Sequence, residues 1–81
     1  MKTVTLIGRE GCHLCDDARA VVTEVLTEFP ATEFVELSID DDKDLHAEYW
    51  EQIPVVLVDG KVHNFWRIDP DRLRKKLKEE Q

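Results

Sequence analysis

Gly8-Arg9-Glu10-Gly11-Cys12-His13-Leu14-Cys15 decides the fold, because it joins two stretches of different hydrophobic period. Upstream, Thr3-Val4-Thr5-Leu6-Ile7 is β-branched and apolar, which suits a buried strand, and Gly8 stops it. Downstream, a helical pattern starts at Cys12, with Leu14, Ala18, Val21, Val22, Val25, Leu26 and Phe29 at steps of three and four. Pro30 ends that helix. The C-x-x-C pair therefore sits where a strand's loop becomes a helix.

Working outward, Phe34–Ile39 reads as a second strand with Val35, Leu37 and Ile39 on one face. Asp40, Asp41 and Asp42 are turn and N-cap residues, and a short helix from Asp42 to Trp50 is expected to bury Leu45 and Tyr49. Ile53–Val58 and Lys61–Trp66 are apolar runs joined by Asp59-Gly60, a two-residue link that signals a hairpin with positive φ at both turn positions. Asp69-Pro70 opens the last helix as N-cap and first helical residue, with Leu73 and Leu77 as its apolar stripe. Arg72, Arg74, Lys75, Lys76 and Lys78 place positive charge towards the C-terminal end of its macrodipole. The order β-α-β-α-β-β-α predicts an α/β fold: a four-stranded mixed sheet flanked by three helices, in one domain over residues 1–81.

Composition narrows the function. Eleven Lys and Arg against eighteen Asp and Glu give a net charge of −7, which argues against a nucleic-acid module and against an anionic membrane surface. No run approaches the roughly 18–20 apolar residues of a membrane span. No secretory leader pattern opens the sequence, so the expected compartment is cytoplasmic. The acidic stretch from Asp40 to Asp44 lacks the glycine and spacing of a calcium loop and reads as a solvated turn and cap.

Cys12 and Cys15 are the only cysteines. As a staple the pair is weak, since closing so short a loop contributes roughly 2 kcal/mol, against about 4.7 for a loop of 100 residues. A sulfur at the helix start faces unpaired backbone N–H groups and the positive end of the macrodipole, which favour the thiolate. The i, i+3 spacing puts Cβ atoms about 5–6 Å apart in a helix, so modest adjustment of the first turn closes a disulfide. This arrangement suits an exposed attacking sulfur at Cys12 and a shielded resolving one at Cys15. A zinc half-site completed by His46 and His63, and a pair of inert buried thiols, remain alternative readings of the same residues.

Gly11-Cys12-His13-Leu14-Cys15, Ile53-Pro54-Val55-Val56 and Asp59-Gly60 together resemble the glutaredoxin branch of the thioredoxin fold, over nearly the whole chain. The C-x-L-C site and Trp66-Arg67-Ile68-Asp69 are most similar to small bacterial glutaredoxin-like proteins. The resemblance implies that Cys12 is the nucleophile, Cys15 the resolving cysteine, and Pro54 a cis proline that turns the Ile53 backbone towards the sulfurs. It implies a monomeric thiol–disulfide oxidoreductase taking part in electron transport that reduces protein or glutathione mixed disulfides, with a disulfide-bearing protein or small thiol as substrate and no bound cofactor or metal. Glutathione is the candidate co-substrate, and thioredoxin reductase or glutathione the candidate reductant. The sequence departs from the family at Phe65-Trp66-Arg67-Ile68-Asp69-Pro70, where glutathione-binding members carry a Gly-Gly pair. In its place Trp66 is expected on the substrate rim and Asp69 or Asp71 at an ammonium, with Arg9 meeting a carboxylate. His13 is a candidate hydrogen-bond donor and Leu14 part of the docking surface, while Trp50 is expected at the edge of the core. Two other classes fit the fold: a non-catalytic binding module, and a metal or iron–sulfur carrier.

Overall fold

The computed structural model describes residues 2–79; Met1, Glu80 and Gln81, part of the expected single domain, lie outside the described residues. Seven elements follow in the expected order: β1 (Thr3–Gly8), α1 (His13–Leu26), β2 (Glu33–Ser38), α2 (Lys43–Tyr49), β3 (Val55–Val58), β4 (Lys61–Phe65) and α3 (Pro70–Glu79). The sheet order is β2-β1-β3-β4. β1 and β2 are parallel, from Thr3 opposite Glu33 to Gly8 opposite Ser38, as a helical crossover requires. β3 is antiparallel to both β1 and β4, so the sheet is mixed. The Asp59-Gly60 link turns as its sequence predicts, with φ of 51° and 82°.

Strand alternation sorts the core into two layers. Val4 and Leu6 of β1 and Val56 and Val58 of β3 face α1 and α3, where they meet Ala18, Val22, Val25, Leu73 and Leu77. Ile7, Val55 and Leu57 point to the opposite face and pack with Ile39, beneath half-buried Leu45 and Tyr49 of α2. α1 and α3 carry full apolar stripes and bury them. α2 is seven residues long and buries none completely. Its start is fixed by Asp42, whose carboxylate accepts from the N–H groups of Asp44 and Leu45.

One expectation fails. Trp50 is 55% exposed and takes no place in the core; it follows α2, whose last residue is Tyr49. On β2, an edge strand, Leu37 is 40% exposed although Ile39, two residues on, is buried. No helix among the described residues is long and apolar enough to cross a membrane.

Candidate functional site

Cys12 is the N-cap of α1, with extended backbone at φ −95° and ψ 116°. Its sulfur takes the place usually held by a serine or aspartate oxygen, and accepts a hydrogen bond from the Cys15 backbone N–H at 3.2 Å. That donor is one of the first-turn N–H groups that have no partner inside the helix, so the electron-rich sulfur and the helix satisfy each other. Cys12 is half-buried.

Cys15 lies one turn further in and is 1% exposed. Burial, and then its hydrogen bond with Cys12, push its thiol up to about 11, against the opposing pull of the Arg9 backbone N–H. Near neutral pH Cys15 is held as a thiol, and Cys12 is the less buried of the two sulfurs. Both are free cysteines in this structure.

The packing that buries Cys15 depends on Gly8. A Cβ at position 8 would stand 2.8 Å from the Cys15 sulfur and 3.1 Å from its Cβ, well inside ordinary contact. In the sequence Gly8 reads only as a strand stop; its role in the site comes from the close approach of α1 to β1. The single hint in the sequence is a glycine four residues before the first cysteine.

The Ile53–Pro54 peptide bond is cis. Pro54 is buried and Ile53 half-buried against the α2-side core. Trp66 is tied to this turn by two hydrogen bonds: its backbone N–H donates to the Pro54 carbonyl at 2.8 Å, and its indole Nε1–H to the Glu51 carbonyl at 2.9 Å. Its ring meets Phe65 edge-on at 5.0 Å between centroids. Trp66 has φ of 63°, in the left-handed region that favours glycine and is costly for a bulky side chain. Trp66 and Leu14 share the lining of a cavity of about 160 Å³ between α1 and the β4–α3 connection, and both are exposed. The motif's leucine and the rim tryptophan are thus neighbours.

The remaining candidates are placed as follows. His13 opens α1 and is exposed. Arg9 is paired through its guanidinium with Asp40 at 3.0 Å, while its backbone faces Cys15. Asp69 caps α3, its carboxylate accepting from the N–H groups of Asp71 and Arg72. Asp71 is paired with Arg74 at 2.9 Å. Among the described residues no group of three or more His, Cys, Asp or Glu side chains comes together as a metal site would require.

Residues 3–78 match the sequence model of a family described as Glutaredoxin-like domain (DUF836). An uncharacterised protein of Mycobacterium tuberculosis is 35% identical over 78 residues, spanning 88% of this chain and 77% of the relative. A solved structure of a structural-genomics target from X. campestris is 36% identical with a TM-score of 0.70, over 94% of this chain and 96% of the other. Mitochondrial thioredoxin 3 of Saccharomyces cerevisiae, at 23% identity and a TM-score of 0.70 over 96% of this chain and 77% of its own, shares the fold. With everything from β1 into α3 inside the family match, the chain belongs to the glutaredoxin-like domain family (DUF836) and carries the thioredoxin fold.

Proposed function

We propose that this protein is a thiol–disulfide oxidoreductase that reduces protein disulfides through Cys12 and Cys15. The observation that carries the reading is the unequal pair: a half-buried sulfur capping α1, and behind it a buried thiol held protonated. The Cys12 thiolate attacks one sulfur of the substrate disulfide. The substrate's S–S bond breaks, and its other sulfur leaves with the electron pair and takes a proton. Cys15 then loses its proton and attacks the Cys12 sulfur. The Cys12–Cys15 bond forms, the Cys12–substrate bond breaks, and the second substrate sulfur departs as a thiol. The chain is oxidised by two electrons and the substrate disulfide is reduced to two thiols.

In this reading Ile53 and Pro54, at the cis bond, offer backbone groups to an extended substrate strand. Leu14 and Trp66, exposed on one cavity, are read as the apolar side of the docking surface, and the bulk of Trp66 in place of the Gly-Gly pair supports a protein disulfide over glutathione alone. The working form is taken as a monomer in a reducing cytoplasm, re-reduced by a thioredoxin reductase or by glutathione.

An equilibrium titration in glutathione redox buffers, quenched by acid and read by intact mass, tests this. An internal disulfide is expected at a potential within the ~−270 to −180 mV spanned by thioredoxin, glutaredoxins and disulfide isomerase. Cys12→Ser should abolish turnover of a small disulfide. Full activity in that variant, or a dithiol that forms no disulfide and no adduct at any poise, sinks the assignment.

A further inference from the structure

Cys15 is approached from a second side. On the β2 side of α1 a cleft of about 330 Å³ reaches down to it, flanked by two ion pairs. One is Arg9–Asp40 at 3.0 Å. The other joins Arg19 of α1 to Glu36 of β2, with Nη2 to Oε2 at 2.7 Å and Nε to the carboxylate oxygens at 2.9 Å. Arg19 lies four residues after Cys15, on the same face of α1. Its Nη1 is also held by Asp16 at 2.9 Å. Asp16 and Glu36 together hold the guanidinium beside the cleft, with the Arg19 side chain 42% exposed. Glu10 from the β1–α1 loop and Asp41 from the β2–α2 loop line the same cleft, and Cys12 stands beside Cys15 at the helix cap.

We propose that the Arg19–Glu36 pair is an electrostatic control on the resolving step, Arg19 favouring the attacking form of Cys15 and Glu36 opposing it. The proposal rests on the dithiol reading above. Burial alone would make Cys15 a slow nucleophile, because only its thiolate attacks. Once Cys12 is bonded to substrate its hydrogen bond with Cys15 is lost, and Arg19 is left as a charged side chain of the cleft that acts on the Cys15 proton. Arg19 acts in the direction that counters burial. It is a positioning residue, acting through Cys15 and not on the substrate.

The pair offers a test that separates charge from architecture. Arg19→Gln and Glu36→Gln break the same ion pair, so a purely structural clasp predicts that both variants err in one direction. Electrostatic control predicts opposite directions: Arg19→Gln leaves Asp16 and Glu36 unopposed near Cys15, and Glu36→Gln leaves Arg19 less opposed. The reduced chain is mixed in stopped flow with dithiobis(nitrobenzoate), between pH 6 and 9. The first thionitrobenzoate released reports attack by Cys12 and scales with reagent; the second reports attack by Cys15 and does not.

One unit charge in a half-solvated cleft displaces the pH dependence of the second phase by roughly 0.5–1 pH unit. At fixed pH the rate changes by roughly two- to fourfold, because a more basic thiolate is also a better nucleophile. Arg19→Gln should slow the second phase and Glu36→Gln should speed it, with the first phase unchanged in both. Arg19→Lys, which keeps the charge, should recover most of the rate. Second-phase shifts of the same sign in both glutamine variants, or no shift in either, overturn the proposal. If the unsubstituted chain gives no second release, the dithiol reading itself fails, and the proposal with it.

Discussion

Gly8→Ala tests the close approach of α1 to β1. The new methyl group would meet the Cys15 sulfur at 2.8 Å and its Cβ at 3.1 Å, where unstrained contacts fall at roughly 3.5–4.0 Å. Gly8 and Cys15 are both buried, so neither can yield into solvent, and α1 must move off β1 or the side chain must leave its rotamer. Overpacking of this kind costs about 1–3 kcal/mol. Working against it, alanine removes backbone freedom from the unfolded chain, worth about 0.4–1 kcal/mol, and the φ of Gly8 is not in the left-handed region. The net expectation is a loss of about 1–2 kcal/mol, or a Tm lower by roughly 4–16 °C for a chain of this size.

Urea denaturation under reducing conditions measures the loss, and the decisive comparison is made in a Cys15→Ala background. With the sulfur gone the main clash is gone, so Gly8→Ala should become neutral or slightly stabilising there, with a coupling of about 1 kcal/mol or more. An equal cost in both backgrounds would refute the close-approach argument.

Two further outcomes follow from the same geometry. The Cys15 thiol ionises near 9.0 in an unperturbed chain and at about 11 in the fold. Between those values the unfolded state has lost the proton and the native state has kept it, so stability falls as pH rises from about 9 to 11. The loss is on the order of 1–3 kcal/mol. Subtracting the pH–stability curve of reduced Cys15→Ala isolates this contribution; parallel curves would show that burial does not perturb the thiol. At the rim, Trp66→Phe keeps the left-handed backbone but loses the indole bond to the Glu51 carbonyl, and should cost about 0.5–1 kcal/mol in urea melts. Trp66→Gly should cost no more, because relief at φ 63° offsets the lost contacts; a penalty of several kcal/mol would show that the strain is negligible.

What the sequence disclosed is what local chemistry encodes. The helix caps at Asp42 and Asp69, the Asp59-Gly60 turn, the apolar run of β1, and the spacing of the two cysteines all act over a few residues. What it concealed acts through space. Arg9 meets Asp40 across 31 positions, and Arg19 meets Glu36 across 17, so neither pair has a local signature. Gly8 matters because a helix elsewhere leans on it. Trp66 in a left-handed conformation runs against the preference of its own side chain, and only its three anchors at Pro54, Glu51 and Phe65 explain it. Trp50 misleads for a related reason: an aromatic in an apolar pattern predicts burial, but burial requires enough helix to carry the ring inside.

The Asp59 carboxylate, besides shaping the hairpin turn, accepts from the Thr3 backbone N–H at 2.9 Å and pairs with Lys2 at 3.4 Å. The β3–β4 hairpin is thereby fastened to the first residue of β1, while the cysteine loop leaves from the last. Six strand residues at about 3.3 Å each put roughly 20 Å between the two ends. A spectroscopic label or a surface attachment through Lys61, exposed beside that turn, would hold the molecule by one pole and leave the other facing solvent. A partner trapped as a mixed disulfide on Cys12 could then be studied on the immobilised protein without the support competing for the same face.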